Sequence, residues 1–233
     1  LIEHSFNKWR FALPRNETHN RQLRDVRREK IQSAALRLFA VQGLAATRIS
    51  DIALAAGMSQ GLLYHYWTSK EAIFTDLIRH AFTSLNTAVQ ALERSPLPPW
   101  AKIQLATNEL LRGLKDHPDA GFYHLLIAQA TASEAIPAAA RSIIRKENLR
   151  PYRAINRIIQ AGQRDGSFLP GDPGQMALIF WTAIKGLAIH QAAHGNFQTP
   201  DPAILTRMFF AAPVPSPHGT DRSDIAKRKK SKK

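Results

Sequence analysis

Apolar residues along this chain recur every three to four positions, and no stretch alternates apolar with polar residues as a half-buried strand would. From Asp25, the positions Ile31, Ala34, Ala35, Leu38 and Phe39 form one stripe, with Arg27, Arg28, Lys30 and Arg37 on other faces, until Gly43 stops the helix. A second helix is expected from Thr47, its hydroxyl capping free amides, with Ile49, Ile52, Ala53 and Ala56 facing inward and Gly57 ending it. Ser59 caps a third, short helix to about Trp67, and Thr68 to Glu71 opens a fourth that reaches about Glu93. Pro96, Pro98 and Pro99 then break the chain. Further helices are expected at about 100–115, 119–133, 137–164, 173–194 and 201–211. The fold class is therefore all-α. Residues 1–22 read as a flexible arm, 23–70 as a compact helical domain and 71–212 as a larger bundle. Residues 213–233, proline-rich and then basic from Lys227 to Lys233, read as a disordered tail.

Charge narrows the partners. The formal net charge is +14, which attracts polyanions, either nucleic acid or an anionic surface. Residues 213–233 carry seven Lys/Arg against two Asp, and residues 1–80 carry twelve against seven acids. Both ends can add phosphate contacts that strengthen binding without reading sequence, or can simply solubilise the chain. Cysteine is absent, which excludes disulfides, thiolate zinc sites and cysteine nucleophiles. Glu3, His4, Asn7, Lys8 and Arg10 interrupt any apolar secretory core, and no unbroken apolar run of about 18 residues predicts a membrane span. A cytoplasmic, nucleoid-associated protein is expected.

Residues 47–70 carry the candidate chemistry. A helix-turn-helix needs two short helices joined by a tight turn that often contains Gly. Ala53 lets the helices approach, Gly57 reverses the chain, Met58 plugs the turn and Ser59 caps the next helix. Leu63 faces the core while Gln60, Gly61, Tyr64 and His65 face outward. Glutamine can hydrogen-bond a base edge, glycine allows close approach, and a tyrosine hydroxyl can reach a phosphate. Thr47 and Lys70, at helix N-termini, are candidates to clamp backbone phosphate.

This segment resembles the TetR family pattern, Thr-x-x-x-x-Ile-Ala-x-x-Ala-Gly-Val-Ser-x-Gly-x-Leu-Tyr-x-His-Phe-x-Ser-Lys-Glu, and the match runs from the first helix through Phe74. Two departures stand out: Tyr66 where the family usually has His, and Trp67 where it usually has Phe. The resemblance implies DNA contacts from Thr47, Gln60, Gly61, Tyr64, His65 and Lys70, with Arg48, Ser50 and Ser59 as further candidates. It implies a homodimer on a double-stranded operator with an inverted repeat, and release by a small-molecule effector. Gly162 to Pro173, then Met176, Ala183, Gly186 and Leu187, resembles the family's loop and penultimate helix. By that likeness Phe180, Ala183, Ile184, Leu187 and Ala188 are candidates for a dimer seam, and Trp100, Phe122, Tyr123, Phe180 and Trp181 for an effector pocket. Repression is the family's usual behaviour. No catalysis, cofactor or membrane partner is expected.

Other readings carry less. Gly57-x-Ser59-x-Gly61 spells the serine-hydrolase elbow, but that elbow needs a strand before the serine, and Ile52 to Ala56 has helical spacing. His190 and His194 stand four apart, as metal ligands can, yet no third ligand can be assigned. A general basic DNA-binding protein remains the alternative to a sequence-reading one. Arg141, Arg145, Lys146, Arg150, Arg153 and Arg157 form a basic succession that is either a solvated face or an anion site.

Overall fold

A computed structural model describes residues 15–195 and 198–211, with side chains described from residue 21. Among these residues there are ten helices: α1 (Arg15–Ala46), α2 (Ile49–Ala55), α3 (Gln60–Tyr66), α4 (Lys70–Arg94), α5 (Pro99–Asp116), α6 (Ala120–Ala132), α7 (Ala138–Glu147), α8 (Arg150–Arg164), α9 (Pro173–His194) and α10 (Pro202–Thr206). The one β feature among them is an isolated bridge between Phe168 and Phe210. Residues 1–14 of the expected arm and the tail from 213 lie outside the described residues.

Several boundaries differ from the sequence-based expectation. Helix α1 begins at Arg15, so residues 15–22 of the expected arm are helical; its polar first turns carry no apolar stripe that periodicity could register. Gly43, at φ 80°, interrupts it as expected. The segment 137–164 is two helices, parted at Asn148 and Leu149 ahead of Pro151, whose ring cannot continue the preceding helix. The last helix stops at Thr206 because the chain turns there to bring Phe209 and Phe210 onto Phe180 and Phe168.

Two apolar cores hold the molecule. The first contains Ile31, Phe39, Ile52, Leu63 and Trp67, and continues through Phe74 and Leu77 of α4 to Leu126 of α6 and Ile144 of α7. The N-terminal helices thus share a core with the bundle. Polar bonds tie the same junction: Arg37 and Ser33 of α1 both reach Asp119, and Gln129 of α6 donates to the Ala40 carbonyl at 2.9 Å. The second core gathers Ile103, Leu111, Ile155, Ile159, Phe180, Trp181 and Ile184. Helices α6 and α9 meet at Gly121, where a Cβ would stand 2.5 Å from the Ala188 carbonyl oxygen, so any side chain there forces them apart.

Helix α9 is long and apolar enough, by length and composition alone, to cross a membrane, although no unbroken apolar run announces it. Ala177, Phe180, Trp181, Ile184 and Ala188 face the protomer core.

Burial also sets a pH response. His124 on α6 is pushed down to about 4, first by desolvation and then by the charge of Lys185. An unfolded histidine titrates near 6.5, so between pH 6.5 and 4 the unfolded chain binds a proton that the fold excludes. Acidification through that window costs stability, at most ~3 kcal/mol from this residue. His124→Gln should show a smaller loss of urea midpoint than the parent protein between pH 6.5 and 4. An unchanged difference across the window would place the acid sensitivity elsewhere.

Candidate nucleic-acid interface

The turn between α2 and α3 rests on one residue's conformational freedom. Gly57 sits at φ 65°, the left-handed region that side chains disfavour. That geometry lets the Gly57 N–H reach the Leu54 carbonyl at 3.0 Å and the Met58 N–H reach the Ala53 carbonyl at 2.9 Å. This pair of bonds is a Schellman ending, with Met58 packed against the core as its apolar contact. The Ser59 hydroxyl then accepts from the Leu62 N–H at 3.2 Å and starts α3. Ser59 comes after a helical turn rather than a strand, and its oxygen is a cap. The hydrolase elbow is thereby excluded.

On α3, Leu63 is fully buried while Gln60, Gly61, Tyr64 and His65 are exposed. The helix presents a polar and aromatic face on an apolar anchor. At its C-terminal end the Arg24 guanidinium lies 6.0 Å from the Tyr66 ring centroid and Arg28 lies 5.2 Å from that of Trp67. Exposed Arg21, Arg27 and Lys30 continue the cationic surface along α1, and exposed Arg48 precedes α2. The face is suited to a polyanion with readable edges.

Known proteins point the same way. The family model described as "Bacterial regulatory proteins, tetR family" matches residues 31–77. Residues 31–77 are thus similar to the TetR family's N-terminal segment. It is 26% identical to the HTH-type transcriptional repressor KstR2 of Rhodococcus jostii, over 68% of this chain and 78% of that protein. It is equally similar to the HTH-type transcriptional repressor NicS of Pseudomonas putida, over 63% of this chain and 68% of its relative. The solved structure of the ketosteroid transcriptional regulator KstR2 of Mycobacterium tuberculosis has the same fold, with a TM-score of 0.64 and 22% identity over 80% and 96% of the two chains. These likenesses support a DNA-binding transcriptional regulator.

Thr47 and Lys70, the two expected phosphate clamps, bond within the protein. Helix α2 begins at Ile49, two residues later than expected, and its start is secured by Asp51 accepting the Arg48 N–H at 3.1 Å. Thr47 is wholly buried, and its hydroxyl donates to the Gly43 carbonyl at 2.8 Å, closing the broken end of α1. Lys70 donates to the carbonyls of Leu44, Ala45 and Thr47 at 2.8, 3.1 and 2.8 Å. An ammonium has three donors, so none is left for a phosphate. Sequence spacing shows which residues start helices but not which carbonyls lie overhead. Lys70→Met should lower stability by about 1–3 kcal/mol, because three carbonyls lose their donor. A denaturant midpoint measures it; a midpoint equal to the parent's would mean that water replaces the lysine without cost. Ser50 is half-buried, with its hydroxyl directed at Asp51 at 3.3 Å.

Sequence reasoning missed Asp76 of α4. Its carboxylate accepts from Arg28 at 2.7 Å, Gln32 at 3.2 Å and the Trp67 indole N–H at 3.3 Å, with Arg79 at 3.6 Å. One side chain thus joins α1, the end of the recognition helix and α4. The signal was present: a carboxylate set within the apolar stripe Ile73, Phe74, Leu77, Ile78 needs cationic or N–H partners. Trp67 in place of Phe supplies such an N–H. Tyr66 in place of His supplies a ring under Arg24.

The candidate effector and dimer residues are redistributed. Phe122 and Tyr123 pack on the first core, whereas Trp100, Phe180 and Trp181 belong to the second. Phe180 and Trp181 are 2% exposed, filling the interior rather than lining a cavity. Tyr123 is pushed up to about 12 by burial and then by Asp119 and Asp76, so it stays a neutral phenol. Phe180, Ile184 and Ala188 of the expected dimer seam are likewise buried within the protomer, with only Ala183 and Leu187 partly open. The opposite face of α9 is the open one: Leu178 is 54% exposed and Ile179 46%, with Thr182 and Gly186 beside them. Periodicity locates an apolar stripe; on a helix apolar all round it cannot say which side meets the protomer's own core. Among the described residues no group of three metal-ligating side chains gathers around His190 and His194, whose rings stack at 4.2 Å.

Proposed function

We propose that the protein binds an inverted-repeat operator as a homodimer and represses transcription until a small-molecule effector releases it. The observation that carries the reading is the outer face of α3, where Gln60, Gly61, Tyr64 and His65 are exposed around a single buried anchor, Leu63. In this reading α3 enters the major groove. Gln60 reads a base edge, Gly61 permits close approach, and Tyr64, His65 and Arg48 meet phosphate or neighbouring edges. Ser59, Thr47 and Lys70 hold the frame, and Ser50 stands at the backbone side of α2.

Dimerisation rests on the outer face of α9. Leu178, Ile179, Thr182 and Gly186 make an apolar strip with a side-chain-free notch, and a second copy across a two-fold axis covers it with the same residues. The two-fold places two copies of α3 on successive grooves, and engagement of both half-sites makes binding sensitive to small changes in their spacing. The shared core of α1, α4 and α6 gives the bundle a path to that spacing.

Selection of bound sequences from a random DNA pool, with purified protein at near-physiological salt, tests the reading. An enriched inverted repeat is expected. Salt-sensitive binding without any enriched motif would replace it with a general DNA-binding role.

A further inference from the structure

A cleft of about 700 Å³ opens between α4, α7 and α8. Its size falls in the range of small-molecule sites. Phe82, Val89 and Ile143 give it apolar floor, while five cations against two carboxylates line it, a net charge of +3. Both carboxylates are already taken. Glu93 receives both ends of the Arg157 guanidinium at 2.8 and 3.0 Å, and Glu147 receives Arg150 at 3.1 Å and the Asn86 amide at 2.9 Å. Lys146 and Arg153 form no ion pair among the described residues. The Asn86 amide oxygen, beside the cleft, is buried and has no hydrogen-bond partner. Cations in a concave site with low-dielectric walls focus potential on whatever enters.

Resting on the reading of the chain as a ligand-released regulator, we infer that this cleft takes an amphipathic organic anion: its acid group lies between Lys146 and Arg153 and its apolar body covers Phe82, Val89 and Ile143. The cleft also reaches the DNA-binding unit. Arg79 lines it and stands 3.6 Å from Asp76, whose closer partners are Arg28, Gln32 and Trp67. An anion that draws Arg79 inward removes one cation from the group that fixes α1 and the end of α3 against α4. The ligand's charge is thereby felt at the recognition helix.

Dodecanoate, dodecyl phosphate and dodecanol, each below its micelle concentration, serve as probes in calorimetric titrations of the full chain without DNA. Both anions should bind, and the alcohol at least about tenfold more weakly, since a charged hydrogen bond is worth that much. The relative strength of carboxylate and phosphate tells which acid group the site prefers. Lys146→Gln with Arg153→Gln should weaken anion binding by at least about tenfold per cation, while selected-operator binding without ligand stays unchanged. Arg79→Gln should still bind the anion, but its DNA affinity without ligand should start several-fold lower and change less when the anion is added. Equal binding of alcohol and anions, or anion binding indifferent to Lys146 and Arg153, would overturn the site; an Arg79 variant with the parent's DNA affinity both with and without the anion would overturn the relay. Loss of sequence-specific DNA binding by the parent protein would instead strike the regulator reading, so the two failures are distinguishable.

Discussion

Gln60→Ala and Tyr64→Ala should each weaken operator binding strongly while leaving the fold and the proposed dimer intact. A well-placed base contact contributes about 1–3 kcal/mol, and a two-fold dimer loses it twice. Removal of the Gln60 amide therefore costs roughly 2–6 kcal/mol, about 30-fold to about 10⁴-fold in affinity. The folded state is insensitive because Gln60 and Tyr64 are exposed, Tyr64 by 52%, and α3 is anchored from its other side by Leu63. Salt separates base reading from backbone attraction. Gln60→Ala leaves the slope of affinity against salt unchanged, whereas Arg48→Gln lowers it by about 1 per half-site, because only the arginine releases counterions. Fluorescence anisotropy on the selected operator, with circular dichroism as control, checks both. Parent-like affinity in either alanine variant would remove α3's outer face from the interface.

Charging the outer face of α9 should have the second large effect. Leu178→Glu with Ile179→Glu places carboxylates where apolar side chains now stand exposed, and two-fold symmetry brings four such residues to one interface. Fully burying one Leu or Ile contributes about 1.5–3 kcal/mol, and about half of each is exposed here, so losing four removes about 3–6 kcal/mol, before the cost of burying charge is counted. Dimer affinity should weaken by at least about 10²-fold, which sedimentation velocity reads as a shift from dimer to monomer. Operator binding falls with it, since a monomer engages one half-site. The protomer stays folded because Phe180, Trp181 and Ile184 keep their places in the core. The double variant sedimenting as a dimer would show that another surface joins the protomers.

Much of the geometry of α2, the turn and α3 was legible from residue order alone, for a local reason. A capped helix, a left-handed glycine and a second cap are short-range events, so Gly57, Ser59 and the alternation of Leu63 with Gln60 and Tyr64 are written in consecutive positions. The resemblance to the TetR family rested chiefly on that same run, and the family model matches only the first helices of the fold. The bundle was legible only as a series of helices. Nothing local in Thr47 or Lys70 discloses that the end of α1 lies within reach, and nothing local in Asp76 discloses Arg28, forty-eight residues away, as its partner.

The sequence by itself determined that the protein is helical, that a Gly57-centred turn presents Gln60, Gly61, Tyr64 and His65, and that its charge suits nucleic acid. Only the tertiary structure decided which side of α9 stays open. It also bonded Thr47 and Lys70 to the end of α1, gathered Arg28, Trp67 and Arg79 on Asp76, and turned a row of basic residues into one wall of a cleft. The physical reason is range. Helix geometry and capping are set by bonds three or four residues apart, whereas burial, ion pairing and cavities depend on which distant surfaces the whole chain brings together.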